Sequence, residues 1–436
     1  MKPKLLPALL LLLYAIASFA QQDTALDTAD YPRRKIFLER LEHNNEALAR
    51  SVKNEYTGKT KIELIDFYNA FFEDFEKKVK NKDFLFDPEF ESMVNGILVQ
   101  LKNNNPEIPE DLKVLVAKDN MPNAYCLPDG TFIVNIGIFN WMDNEDQVAG
   151  ILSHEIAHKI LGHSLKSILK SIAEDQADRA TMLRMRTLSG SANKSETAFE
   201  LLKNRIYKKG TEQRHQEIEA DSLGYILFKN SGYRKEAFLN ALINLKNFDS
   251  ISPRELEIAT YKSLYDLPEQ PFNDKWLEKE DFSLYNYDLY NEKLEKDSIV
   301  SHPEITTRIA TLQTYFPELK NEVPFAKPGE AYAALQSIAA NEILPNLYHS
   351  EDYGLGIYAA MQFLQDKRKE AYTKFWLGKM FEKIYEARKN YNLNRYLDRV
   401  NPKDQSDSYQ QFLNFMWNLK LDEIKRIADH YLKESS

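Results

Sequence analysis

Three of the chain's eight histidines fall within ten residues, His154-Glu155-Ile156-Ala157-His158-Lys159-Ile160-Leu161-Gly162-His163. The segment around them, Asn144 to about Leu165, has the period of a helix. Asn144 and Gln147 stand at capping-box positions ahead of Val148, Ile151 and Leu152. On an α-helix His154 and His158 differ by ~40° of rotation and ~6 Å of rise, so both imidazoles lean over one spot. Two neutral imidazoles placed that way can bind a zinc ion. Glu155 stands beside the ion without being a ligand, placed to take a proton from a water there. In a chain of this composition a His-acid-x-x-His arises by accident about 0.02 times. Two unrelated histidines on a helix are therefore the poorer account.

A third ligand has to come from elsewhere. His163 is nine residues after His154, ~900° of helix rotation and so half a turn off the metal face. It therefore reads as a surface residue or as one that backs a ligand; a ligand role would need a break at Gly162. A later helical segment, about Glu212 to Asn230, carries Glu217, Asp221 and Gly224 at i, i+4 and i+7, on one face. Small residues at Ala220 and Gly224 allow close approach to another backbone. Glu219 is ~200° from Glu217 and points away. Taken alone, this face reads as a solvated acidic stripe. Paired with the upstream histidines, Glu217 becomes the third ligand and Asp221 the acceptor for a ligand imidazole's free N–H.

The rest of the chain predicts an α+β, mostly helical protein. Helices are expected over Pro32 to about Lys53, Ile62 to Lys80 and Glu89 to Leu101. Strands are expected at Asp111 to Ala117 and Thr131 to Ile136, with a turn at Pro128-Asp129-Gly130. Residues 250 to 300, rich in Tyr, Phe, Asp and Lys, read as a surface insertion. Pro324 and Pro328-Gly329 mark a boundary, after which the pattern is helical with no fixed repeat. Lys2 and Lys4, the apolar run Leu9 to Ala17, and Ser18-Phe19-Ala20 read as a signal peptide cleaved after Ala20. The expected organisation is thus 1–20 signal peptide, 21–84 N-terminal helical segment, 85–322 metal-binding domain and 330–436 helical C-terminal domain. No later run is apolar enough to span a bilayer. The net charge of −9 argues against a nucleic-acid partner. Cys126 is the only cysteine, which excludes an intramolecular disulfide framework, and it reads as a small apolar residue.

With these motifs in place, the sequence resembles the gluzincin zinc metallopeptidases of the HtpX, BepA and CaaX prenyl protease type. The matching pieces are Pro122-Asn123-Ala124 with Pro128-Asp129-Gly130, Asn144 to Gln147 leading into His154-Glu155-Ile156-Ala157-His158, Glu217 to Gly224, and His302-Pro303 with Arg308-Ile309. They span roughly residues 85 to 320. The resemblance implies a zincin-like domain with a small β-sheet, one zinc ion on His154, His158 and Glu217, and Glu155 as general base. It also implies that His302 and Arg308 lie near the metal. They would stabilise the oxyanion, or His302 would be a fourth ligand that closes the site at rest. The absence of further membrane spans points to the exported, soluble branch, periplasmic or extracellular.

The expected activity is endopeptidase cleavage of unfolded or misfolded exported proteins. The substrate is expected to lie extended along the strand Thr131 to Ile136, taken as a sheet edge. The alternative is an envelope chaperone or assembly factor with a gated or silent zinc site. In either case the helical C-terminal domain is a candidate surface for a protein partner.

Overall fold

The computed structural model describes residues 26, 30–110, 112–177, 210–250, 254–279, 305–320, 327–402 and 405–434. The expected signal peptide, the loop at 188–193, most of the Tyr-rich stretch 280–300 and His302 lie outside them.

Two units divide the chain: Leu26–Ser250 with Ser298–Ala339, and Ile251–Asp297 with Ala340–Ser436. The first unit holds the candidate site. Its elements begin with α1 (Tyr31–Glu55), α2 (Gly58–Lys80), β1 (Phe84–Leu85) and α3 (Pro88–Asn103). Next come β2 (Lys113–Ala117), β3 (Ala124–Cys126), β4 (Thr131–Asn135) and α4 (Gly137–Trp141). There follow α5 (Glu145–Leu161), α6 (His163–Ala177), α7 (Gly210–Asn230) and α8 (Lys235–Ser250). After α9 (Ile258–Tyr265), which belongs to the second unit, α10 (Ile305–Tyr315) and α11 (Glu330–Asn341) return to the first, α11 as far as Ala339.

The four strands form one sheet in the order β1-β2-β4-β3. β2 and β4 run parallel, with Val114 opposite Phe132 and Val116 opposite Val134. β1 and β3 pair antiparallel at the two sides. Alternate side chains point to opposite faces. Val114, Val116, Phe132 and Val134 join a core with Val94, Leu98, Val148, Leu152 and Phe228. Leu115, Ala117 and Ile133 join a second core with Phe71, Phe75, Leu64 and Ile172. Helices therefore cover both faces.

This corrects the expectation for Thr131 to Ile136. β4 is a central strand with β2 on one side and β3 on the other, so its backbone offers no edge to a substrate. The physical reason is its consecutive apolar run, Phe132-Ile133-Val134, which suits burial on both faces. The edge beside it is β3. The turn joining them is closed by Gly130 N donating to Leu127 O at 3.0 Å, and Thr131 N donates to Asp129 Oδ1 at 3.0 Å.

The second unit contains α9, α12 (Ile343–His349), α13 (Tyr353–Gln365), α14 (Glu370–Lys389), α15 (Asp407–Asn418) and α16 (Leu421–Glu434). The segment 254–279, expected as a surface insertion, sends Leu256, Tyr261, Leu264, Tyr265, Leu267 and Trp276 into its core. Tyr265 stacks on Phe415 at 4.7 Å and meets Phe381 edge-on at 5.7 Å. Trp276 packs edge-on against Phe415, and Tyr431 Oη donates to Leu264 O at 2.6 Å. No helix among the described residues is long and apolar enough to cross a membrane.

Candidate metal centre

α5 runs through the middle of the first unit. Every residue from Gln147 to Ala157 is buried, as expected of a helix packed on all sides. Asn144 caps it by accepting from Gln147 N, and the Gln147 side chain accepts from Asp143 N at 2.7 Å. The helix ends at Leu161. Gly162 adopts a left-handed conformation, φ +65°, and α6 starts at His163. A residue with a Cβ is disfavoured there by roughly 1–2 kcal/mol. The expected helix to Leu165 is therefore two helices with a turn between them.

α7 packs directly on α5. A Cβ at Gly224 would stand 2.9 Å from His154 Cα and 3.1 Å from Ser153 O, so only glycine permits this approach. Ala220 is fully buried. The close contact brings the distant carboxylate to the two imidazoles.

His154 Nε2 and His158 Nε2 are 3.0 Å apart. Glu217 Oε2 lies 3.5 Å from His154 Nε2, and Glu217 Oε1 lies 3.4 Å from His158 Nε2. Among the described residues, this trio is a group of possible ligands with atoms mutually within 4.8 Å. Ligands ~2.0–2.2 Å from a tetrahedral zinc stand about 3.3–3.6 Å from one another. The observed separations are close to that spacing, so the donor set fits a zinc-sized ion.

Partners surround the trio. Asp221 Oδ1 lies 2.9 Å from His154 Nδ1, the nitrogen turned away from the trio. Arg308 on α10 donates to both oxygens of Asp221, from Nε at 2.7 Å and from Nη2 at 2.6 Å. Its Nη1 is 2.8 Å from Glu217 Oε2, close enough for an ion pair but not aligned as a hydrogen bond. Arg308, Asp221 and His154 are all buried. Burial opposes a charge on His154, yet Asp221 and Glu217 outweigh it and push its pKa up to about 9. The same negative field favours any cation at that point. Burial works against the Asp221 charge as well, but the Arg308 guanidinium holds its carboxyl below the ordinary range.

His163, expected outside the metal face, is buried, and its Nδ1 lies 2.9 Å from His158 Nδ1. Its Nε2 is 3.2 Å from Glu219 Oε2. Burial pushes the His163 pKa down to about 4. The turn at Gly162 is what returns this ring to α5. A glycine between two helical runs was the available signal for it. Glu219 does point away from the trio, and its target is His163.

Glu155 is buried and, with His154, borders a recess lined by Gly150, Ile151, Phe238, Ala241, Leu242, Leu245 and Arg308. Burial pushes the Cys126 thiol up to about 12, which leaves it protonated and unsuited to act as a nucleophile.

The sequence profile of Peptidase family M48 matches residues 88–315, just over half of the chain. The chain belongs to Peptidase family M48. Parts of the chain are similar to several proteases. The "Mitochondrial metalloendopeptidase OMA1" of Arabidopsis thaliana is 29% identical over 121 residues, 28% of this chain and 23% of that protein. The "Beta-barrel assembly-enhancing protease" of Escherichia coli is 24% identical over 191 residues, 39% of this chain and 36% of that protein. "Metalloprotease YcaL" of Escherichia coli is 28% identical over 149 residues, 34% of this chain and 56% of that protein. The chain thus spans between about a quarter and somewhat over half the length of these relatives. An M48 chain with a His-His-Glu trio has the parts of a metalloprotease centre.

Proposed function

We propose that this chain is a zinc-dependent endopeptidase that cleaves extended segments of unfolded or misfolded exported proteins. The observation that carries this reading is the convergence of His154 Nε2, His158 Nε2 and the Glu217 carboxylate, with separations from 3.0 to 3.5 Å. Two nitrogens and one carboxylate leave one tetrahedral position open, which distinguishes a catalytic zinc site from a structural one.

When bound, zinc supplies a Lewis acid that lowers the pKa of a water toward ~7. Glu155 would act as general base, taking a proton from the attacking water, and then as general acid, returning it to the departing amine nitrogen. Asp221 orients His154 by accepting from its Nδ1–H. We assign Arg308 to holding Asp221 and Glu217 in place, because its guanidinium is already committed to both carboxylates. His302 is then the candidate for the oxyanion contact.

β3 has β4 on one side and no strand on the other among the described residues. A substrate paired along Ala124–Cys126 is read through its backbone, which favours unfolded chains over folded ones. The exported setting rests on the Lys2–Ala20 pattern.

The test is zinc content and casein cleavage by the purified chain. Glu155→Gln keeps one zinc per chain and loses about 10²–10⁴-fold in turnover. Glu217→Ala loses both zinc and cleavage. Full activity in Glu155→Gln, or full zinc occupancy in Glu217→Ala, refutes the assignment.

A further inference from the structure

We propose that His163 and Glu219 are positioning residues for the ligand His158, forming an imidazole–carboxylate relay that fixes its tautomer and holds its Nε2 toward the ion. The inference rests on the reading of His154, His158 and Glu217 as metal ligands.

The hydrogen-bond chain admits one consistent set of protons. His158 Nε2 faces the other two ligand groups, at 3.0 Å from His154 Nε2 and 3.4 Å from Glu217 Oε1. A ligating imidazole nitrogen carries no proton, so the proton of neutral His158 is on Nδ1. That nitrogen is 2.9 Å from His163 Nδ1, which must be bare to accept. The His163 proton is then on Nε2, and this nitrogen faces Glu219 Oε2 at 3.2 Å. All four ring nitrogens then have a role: one would hold the ion, two meet each other and one meets a carboxylate.

A histidine that merely filled the core would have no reason to aim one nitrogen at a ligand and the other at an acid. Its placement also requires a specific backbone event. In a continuous helix His163 would lie half a turn from the metal face. The left-handed Gly162 ends α5, and α6 begins with the His163 ring against His158.

The two ligand histidines are thereby backed in parallel ways. His154 reaches the Asp221 carboxylate directly, at 2.9 Å. His158 reaches the Glu219 carboxylate through one interposed imidazole. A single helix, α7, supplies the ligand Glu217 and both backing acids. Such outer partners orient ligands and raise their basicity, and their loss lowers metal affinity about 10–100-fold.

The experiment uses the purified full chain, zinc competition against a chromophoric chelator, and the visible spectrum of the cobalt-substituted protein. His163→Phe keeps the bulk and removes both nitrogens. It is expected to weaken zinc binding about 10–100-fold and to alter the cobalt spectrum. His163→Asn restores a polar acceptor near the Nδ1 position and recovers most of that loss. Glu219→Gln weakens binding by a smaller factor. If His163→Phe does not fold, His163→Asn and Glu219→Gln carry the test, since the Glu219 side chain is 44% exposed. Wild-type zinc affinity and cobalt spectrum in both His163→Phe and Glu219→Gln overturn the relay while leaving the ligand set standing. A wild-type chain that binds no zinc overturns both.

Discussion

Gly224 of α7 lies so close to His154 of α5 that a Cβ there would stand 2.9 Å from the histidine's Cα and 3.0 Å from its nitrogen. The contact is backbone against backbone, so a rotamer change cannot relieve it. Gly224→Ala is therefore expected to push α7 away from α5, carrying Glu217 off the two imidazoles. Overpacking of this kind costs about 1–3 kcal/mol. A shift of about 1 Å at the centre costs about 10²-fold in turnover. Thermal unfolding and casein cleavage check the two effects together. A variant with wild-type stability and turnover would show that the helices can part without moving the carboxylate.

Arg308 separates two accounts of its role. If it holds the buried carboxylates Asp221 and Glu217, Arg308→Met strands them without a counter-charge and destabilises the metal-free chain by about 3–5 kcal/mol. Arg308→Lys keeps the charge but cannot reproduce the two-pronged bond to Asp221, and so recovers only part of the loss. Added zinc narrows the gap, because a cation again balances Glu217. If Arg308 instead acts chiefly on the oxyanion, chemical denaturation of Arg308→Met matches wild type while turnover falls. The geometry predicts the first outcome.

What could be read from sequence, and what could not, follows from the range of the interactions. His154, His158 and Glu155 are local: their spacing and the Asn144 cap are contained in one helix. Glu217, Asp221 and Gly224 are local to a second helix. Their meeting was legible because a ligand set needs a third member and the small residues imply close packing. The break at Gly162 was missed because apolar residues on both sides sustain the helical pattern through it. The central place of β4 was missed although Phe132-Ile133-Val134 is apolar on both faces. The burial of Tyr265 and Trp276 could not be read locally. Their partner Phe415 lies far downstream, and the intervening charges resemble a solvated surface.

That last difference has its own test. Trp276 is 3% exposed and packs on Phe415 and Phe272. Trp276→Ala is expected to cost about 3–5 kcal/mol, the usual loss for a buried large aromatic residue. A surface residue in an insertion would cost less than about 0.5 kcal/mol. Denaturant unfolding followed by the three remaining tryptophans, Trp141, Trp376 and Trp417, distinguishes the two values.

Substrate pairing along β3 predicts which backbone groups of a peptide matter. Across the β3–β4 hairpin, Leu127 N donates to Thr131 O and Asn135 N donates to Asn123 O. Asn123, Tyr125 and Leu127 therefore direct their backbone groups toward β4. In an antiparallel pair these groups alternate in direction, so those of Ala124 and Cys126 point to the open side. An extended peptide added there bonds through every second residue. Methylating a backbone nitrogen that pairs with β3 removes a donor and adds bulk, whereas methylating its neighbour leaves the pairing intact. Cleavage of a set of peptides, each methylated at one nitrogen on the same side of the scissile bond, should therefore alternate between strong and weak inhibition with a period of two. Uniform tolerance across the set would mean that the substrate backbone does not pair with this strand.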